Sequence, residues 1–330
     1  MCNLKSISLH GNGTKRIIEC PILQSPLAGV SDQTFRKLVR KWAPKALLYT
    51  EMVNAKSLEL GFGVNKIHEL SEEEGPIAVQ LFDSKINSLI DAAKRSEQCG
   101  AYLIDINMGC PARKITKKGG GSKLLLNENL AAEIVNKVVN SVSIPVTVKT
   151  RLGWCDQTSN PIFFSSLIQS AGAQMLTIHG RTRKQGFSGK ADWEKIGQIK
   201  KALTIPVIAN GDINSVANAK DCLTISKADG LMIGRGSMGS PWLVGQLYSF
   251  FTEGKLIDDP SPKEKLNIAL EQLNDLIKLK GEHGFLIAKK HLNWTCRGFK
   301  DSSVFRKKLV TAKTSHEAIY LIKEKIDFLN

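Results

Sequence analysis

Eight times between residues 21 and 234 an apolar run breaks off in polar or glycine residues, and this recurrence leaves the chain few folds to choose from. The runs cover 21–28, 46–51, 76–80, 102–107, 145–149, 175–179, 206–210 and 230–234. Short apolar runs of this kind suit strands buried on both faces of a parallel sheet. Helical spacing fills the intervals at 31–42, 84–99, 127–142, 162–171, 193–202 and 215–226. Measured at Pro26, Glu51, Gln80, Asn107, Lys149, His179, Asn210 and Gly234, successive spacings are 25, 29, 27, 42, 30, 31 and 24 residues. Eight strand–helix units of this length predict a (β/α)8 TIM barrel, because a doubly wound sheet usually has fewer strands. The long interval follows Cys110 and reads as a loop.

The barrel is expected over 1–242. Residues 1–23 read as a hairpin, with Ile7-Ser8-Leu9 and Arg16-Ile17-Ile18 around a turn at Gly11-Asn12-Gly13. Such a hairpin can plug the bottom of a barrel. The strand signal stops after Pro241-Trp242, and 243–262, ending in Asp258-Asp259-Pro260-Ser261-Pro262, has the composition of a linker. Helical patterns at 263–280, 285–296, 304–312 and 315–329 then predict a small all-helical C-terminal domain over 263–330, with a capping box at Thr314 and Glu317.

Barrel enzymes work at the C-terminal ends of their strands, so Gln80, Asn107, Cys110, Lys149, His179, Asn210, Asp212 and Arg235 should meet on one rim. The stretch Asp105-Ile106-Asn107-Met108-Gly109-Cys110-Pro111 stands out. Polar residues at the end of an apolar strand cost stability unless something uses them, and Gly109 and Pro111 bracket the thiol in a turn. Cysteine is more often a small core residue, but this one is presented at the mouth of a sheet. The seven cysteines include no Cys-x-x-Cys pair, which argues against a disulfide framework and against a metal site. No run of about 18 apolar residues appears, so no membrane span and a cytoplasmic protein are expected.

Charge points to a partner. Lys and Arg number 46 against 31 Asp and Glu, a net charge of +15, the footprint expected for nucleic acid. The excess is concentrated: residues 283–313 carry Lys289, Lys290, Arg297, Lys300, Arg306, Lys307, Lys308 and Lys313 against Asp301 alone. A solvated helix normally mixes signs. The interval after Cys110 adds Arg113, Lys114, Lys117, Lys118 and Lys123.

Asn210-Gly211-Asp212 and Gly234-Arg235-Gly236 fall after strands seven and eight, where such barrels commonly bind phosphate. Arg235 supplies a charge-assisted donor. A lysine aimed into the mouth, as Lys149 is, needs an anionic partner. An electron-rich reduced flavin, negative near its pyrimidine ring, would be one, and Gln80 could bond the same ring edge. His179 is read as an acid, a cofactor anchor or a structural residue.

Five stretches resemble the signatures of the tRNA-dihydrouridine synthases, closest to a bacterial member: Ser25-Pro-Leu-Ala-Gly-Val-Ser-Asp-Gln-Thr-Phe-Arg36, Asp105 to Pro111, Thr177-Ile-His-Gly-Arg-Thr-Arg183, Ile208-Ala-Asn-Gly-Asp-Ile213 and Leu231-Met-Ile-Gly-Arg-Gly236. Ala288-Lys-Lys-His-Leu-Asn-Trp294 resembles the helical-domain motif, and Gly121-Ser122-Lys123 departs from the family pattern. The resemblance implies an oxidoreductase with FMN as cofactor, NADPH (or NADH) as reductant and uridine in tRNA as substrate. It places FMN against Pro26, Leu27, Ala28, Gln80, Lys149, His179, Asn210, Gly211, Asp212, Gly234 and Arg235. Cys110 matches the catalytic acid. Asn107, Arg181, Arg183, Lys289, Lys290 and Arg297 are the expected substrate contacts. A monomer without metal is expected. A flavin barrel acting on a free pyrimidine, and an RNA-binding scaffold without turnover, are the rival readings.

Overall fold

The computed structural model describes residues 4–68, 70, 75–157 and 159–329. A hairpin of β1 (Ile7–His10) and β2 (Lys15–Ile18) precedes the strands β3 (Ile22–Gln24), β4 (Leu48–Tyr49), β5 (Val53–Asn54), β6 (Ile77–Phe82), β7 (Leu103–Asn107), β8 (Val146–Arg151), β9 (Leu176–His179), β10 (Val207–Asn210) and β11 (Gly230–Ile233). Parallel pairing runs β3-β11-β10-β9-β8-β7-β6-β4, with β5 also on β6. That is the expected barrel of eight strands, with helices Gln33–Trp42, Ile86–Gln98, Glu128–Val139, Pro161–Ser170, Trp193–Ala202 and Val216–Ser226 between them.

The seam between β3 and β4 closes through one backbone bond and one side chain. Gln24 N–H donates to the Leu47 carbonyl at 3.2 Å, and Gln24 Oε1 accepts from Tyr49 N–H at 3.1 Å. A glutamine side chain thus stands in for a ladder bond. Gln24→Leu is expected to strand the buried Tyr49 N–H and cost about 1–3 kcal/mol, read as a lower denaturation midpoint at unchanged m-value. An unchanged midpoint would mean that the seam closes without it.

Alternation along the strands sorts the core into two layers. Ile104 and Ile106 of β7, Val146 and Val148 of β8 and Val79 and Leu81 of β6 belong to the large apolar layer between the sheet and the helices. Inside the barrel, Leu23, Leu47, Tyr49, Ala78, Leu103, Met175, Ile208 and Met232 close on Ile7, Leu9 and Ile18, so the hairpin plugs the bottom. Above that floor the same inward positions turn polar. Register places Gln80 beside Asp105, Asp105 beside Thr147 and Asn107 beside Lys149. Arg151 and Asn210 each lie beside His179.

The expected linker over 243–262 is corrected. Trp242–Glu253 is a helix buried along most of its length, and 254–261 connects it to the next. Apolar residues surround this helix because it packs against Gln33–Trp42 and β3 together, so it lacks the one-sided stripe that marks a surface helix. Beyond the connection, the patterns at 263–280 and 285–296 form two helical stretches within Pro262–Thr295, parted at Gly281, whose backbone is not helical (φ 56°, ψ −144°). Ser261 and Glu264 make a reciprocal capping box at the start of the first. The box expected at Thr314 is half formed: Thr314 caps Glu317 N–H, but Glu317 accepts from Lys313 N–H at 2.8 Å. Helices Ser302–Thr311 and Ser315–Phe328 pack on this segment around Leu266, Leu273, Phe285, Leu292, Leu309 and Ile322.

The helical unit leans on the barrel through Lys37–Asp275 at 2.7 Å, Lys41–Glu271 and Lys280–Asp32 at 3.1 Å. Asp32 also caps Gln33–Trp42 by accepting from Phe35 N–H. Burial opposes ionisation of Asp32, but Lys280, Thr34 and Phe35 N–H outweigh it and hold the carboxyl below its usual range.

Candidate active site

A cavity of about 830 Å³ opens above the C-terminal ends of the strands. Pro26, Leu27, Ala28, Gln80, Asn107, Cys110, Lys149, His179, Asn210, Gly211, Asp212, Gly234 and Arg235 all face it. Of the three basic residues singled out in the helical unit, Lys290 faces it and Lys289 and Arg297 do not. Lys289 Nζ instead donates to the Ala312 carbonyl at 2.8 Å and lies over the Phe285 ring. Arg297 is exposed and donates to the Asn293 carbonyl at 3.2 Å.

Two expected substrate contacts have other work. Arg181 is 2% exposed. Its guanidinium grips both carboxylate oxygens of Asp212 at 2.8 and 2.7 Å and donates to the carbonyls of Ser188 and Gly189 at 3.1 and 2.6 Å. Arg183 stacks on Trp154, 4.5 Å from guanidinium to ring centre, outside the cavity.

The two glycine turns form a shallow cradle. A side chain at Gly236 would place Cβ 2.2 Å from the Ile213 carbonyl, so the turns abut backbone to backbone. Asp212 holds a left-handed conformation (φ 58°) that costs a non-glycine residue energy. Arg181 and the Ala191 N–H, 2.7 Å from Oδ2, hold it there. Burial works against the Asp212 charge, but Ala191 N–H, Arg181 and Arg235 outweigh it and keep the carboxyl below its usual range. Its side chain is therefore committed, and its backbone is what the cavity meets. The N–H groups of Asp212, Gly234 and Arg235 donate to no protein acceptor among the described residues.

Deeper in the cavity the polar side chains bond one another. Lys149 Nζ donates to Asn210 Oδ1 at 3.1 Å, and Asn210 Nδ2 donates to the Met232 carbonyl at 2.7 Å. Burial and Arg151 push Lys149 down to about 8, against the pull of Asp105 and Cys110. Burial, with Lys149, Arg151, Arg181 and Arg235 around it, pushes His179 down to about 2. The shift favours the neutral imidazole, which suits an anchoring or structural His179 better than an acid. Asn107 Oδ1 accepts from Gly109 and Cys110 N–H at 3.0 and 2.9 Å. Its Nδ2 donates to Gln80 Oε1 at 2.8 Å. Asn107 thus shapes the Cys110 turn, and its oxygen has no capacity left over for a substrate edge.

Sequence reading missed Arg151, Met52, Phe187 and Trp294 as cavity residues. Arg151 lies two positions after Lys149, on the same side of β8, so the period of the strand could have found it. Its Nε donates to the Gly109 carbonyl at 2.8 Å, a second brace on the turn. Phe187 is half exposed beside the guanidinium groups of Arg235 and Arg151, at 4.8 and 5.6 Å from its ring centre. Met52 follows an extra residue between β4 and β5: three residues there oppose two of β6, a bulge that turns Met52 to the mouth. The departing stretch Gly121-Ser122-Lys123 begins a 3₁₀ helix, Gly121–Leu126. A Cβ at Gly121 (φ 58°) would come 2.8 Å from the Cys110 carbonyl oxygen, which accepts from Ser122 N–H at 3.1 Å.

Among the described residues no group of His, Cys, Asp and Glu side chains could hold a metal ion, and no helix is long and apolar enough to cross a membrane. In solved structures the fold resembles an old yellow enzyme homologue from Zymomonas mobilis, with TM-score 0.54, 15% identity and coverage of 79% of this chain and 95% of that one. It also resembles histamine dehydrogenase from Rhizobium sp. 4-9, with TM-score 0.56, 11% identity and coverage of 82% and 50%. At such identity the likeness is one of fold. The sequence is 48% identical over 305 residues to the probable tRNA-dihydrouridine synthase 1 of Synechocystis sp., covering 92% of this chain and 86% of that protein. It is 39% identical to tRNA-dihydrouridine synthase B of Pasteurella multocida, covering 86% of each. The model of the family described as dihydrouridine synthase (Dus) matches residues 23–330. With the barrel, the cavity and its cysteine turn in place, this match over nearly the whole length means that the chain belongs to the dihydrouridine synthase family.

Proposed function

We propose that the protein reduces the C5=C6 bond of uridines in tRNA to 5,6-dihydrouridine, with bound FMN, NADPH as reductant and Cys110 as proton donor. One observation carries the reading: Cys110 faces the same cavity as the cradle of the two glycine turns. The residues present fit FMN. The unbonded N–H groups of Asp212, Gly234 and Arg235, with the Arg235 guanidinium, suit its phosphate. Lys149 and Gln80 suit the polar edge of its ring. When bound and reduced, FMN supplies the hydride for C6 of the uracil. Lys149 stabilises negative charge in a water-poor site, and Cys110 gives its thiol proton to C5.

A base inside folded RNA must leave its stack to enter such a cavity. Arg113, Lys114, Lys117, Lys118 and Lys123 are all exposed on the segment that leaves Cys110, and Lys290 faces the cavity from the helical unit. Arg297, Lys300, Lys307 and Lys308 continue the positive surface on that unit. The RNA therefore meets positive charge on both sides of the mouth.

Two results test this. Arg235→Glu reverses a charge beside the proposed phosphate, so the folded protein is expected to purify largely without flavin. A fully loaded variant would move the phosphate elsewhere. Neutralising Arg297, Lys300 and Lys307 together is expected to lower the slope of log affinity for tRNA against log salt by about two to three units. An unchanged slope would take the helical unit out of the RNA interface.

A further inference from the structure

The thiol turn hangs from a chain of side-chain hydrogen bonds that begins in the middle of the barrel. Asp105 is fully buried. Its Oδ1 accepts from Thr147 Oγ1 at 2.7 Å and its Oδ2 from Gln80 Nε2 at 2.6 Å. Gln80 Oε1 accepts from Asn107 Nδ2 at 2.8 Å. Asn107 Oδ1 then accepts from Gly109 and Cys110 N–H. Strand register sets the spacing, since Gln80 and Thr147 are the direct neighbours of Asp105 on either side.

The direction of this chain has a physical origin. A carboxylate can only accept, whichever rotamer it adopts. Gln80 must therefore turn its amide nitrogen toward Asp105 and its oxygen toward Asn107. Asn107 must answer with its nitrogen, which leaves its oxygen for the two backbone N–H groups before Pro111. Reversing Asn107 would set donor against donor at the turn, and reversing Gln80 would set its oxygen against the Asp105 carboxylate and its nitrogen against that of Asn107. Burying a carboxylate among apolar neighbours is costly, and here burial pushes Asp105 up to about 6 against the bonds from Gln80 and Thr147 and the charge of Lys149. Its place in the chain accounts for a buried acid that meets no cofactor or substrate surface.

The geometry points to Asp105 as a positioning residue that acts through Gln80 and Asn107 to fix the backbone turn carrying Cys110. The inference deepens the reading of Cys110 as proton donor and rests on it for its bearing on the reaction. The hydrogen-bond chain itself is tested without any turnover.

The experiment is amide hydrogen exchange, followed residue by residue on the full-length, flavin-loaded protein. Asp105→Leu removes the fixed acceptor. Exchange at the Gly109 and Cys110 amides is expected to quicken by about tenfold or more, the scale of one lost local hydrogen bond. The Ile104 and Ile106 amides, held by the strand ladder, should keep their wild-type rates. Asp105→Asn should rescue the turn, because its side-chain oxygen can face Gln80 while Thr147 accepts from its nitrogen. Thr147→Val leaves the chain intact and should change neither amide. Unchanged protection at Gly109 and Cys110 in Asp105→Leu, or protection lost equally at Ile104 and Ile106, overturns the inference. If Asp105→Leu does not fold, Gln80→Met cuts the chain one link later and must show the same local loss; unchanged protection there overturns it too. A fast-exchanging turn in a protein whose Cys110→Ala form still makes product would keep the positioning role and discard the proton donor.

Discussion

Cys110→Ala is expected to divide the reaction in two. Flavin should still be retained and still be bleached by NADPH, because the thiol takes no part in that exchange. Transfer RNA should still bind, since one neutral side chain counts for little beside many phosphate contacts. Dihydrouridine formation should fall by about two orders of magnitude or more, the usual scale for a positioned general acid. Cys110→Ser should rescue poorly, because an alcohol is a far weaker acid than a thiol. The measurement is a single turnover of pre-reduced enzyme with unmodified tRNA. Product at the wild-type rate would make Cys110 a packing residue. His179 would then be a poor substitute, because burial and the cations around it favour its neutral form.

The largest structural effect should come from Gly245→Val. An ideal Cβ at this position lies 2.5 Å from both the Trp42 Cβ and the Trp42 carbonyl. The neighbour is partly backbone, so no rotamer change relieves it. Helix Trp242–Glu253 would have to move off helix Gln33–Trp42, with Leu243, Val244 and Leu247 in the shared core. Overpacking on this scale costs about 3 kcal/mol or more, which for a chain of this size lowers the melting temperature by roughly 4 °C or more. An unaltered melt would mean that the two helices are not in contact at this residue.

How much of this could be read in advance depended on whether the signal was local. The eight strands were legible because each is a short apolar run with an abrupt polar end. The rim was legible because strand ends in a barrel converge whatever their sequence. Arg151 was missed when β8 was stopped at Lys149, two residues early. Phe187 sits in the connection after β9 and faces the cavity only because Arg151 and Arg235 flank it, which no spacing encodes. Asn107 is legible as a polar strand end and an expected substrate contact, but what its oxygen faces depends on Gln80 and Asp105, neighbours through strand register 25 residues apart. Arg181 shows the same dependence. An arginine after a strand end looks available to substrate until its partner, Asp212 on another turn, is known. Trp242–Glu253 was lost because a helix buried on all sides shows no period.

The segment Pro262–Thr295 is fastened to the barrel on both sides of its bend, with Lys280 on Asp32 just before it. Glu271 and Asp275 pair with Lys41 and Lys37, and some twenty residues further on Trp294 lies against Gly239, where even a Cβ would come within 2.5 Å of it. Lys290 and Trp294, beyond the bend at Gly281, help to line the cavity. An α-helix advances by about 100° per residue. A one-residue insertion or deletion between Phe285 and Lys290, inside the stretch beyond the bend, would therefore turn Lys290 and Trp294 about the helix axis relative to Phe285, which is packed in the helical unit, while leaving the pairs of Glu271, Asp275 and Lys280 untouched. The stretch beyond the bend behaves as a key cut to length: the number of residues from Phe285 to Trp294 sets which side chains reach the mouth.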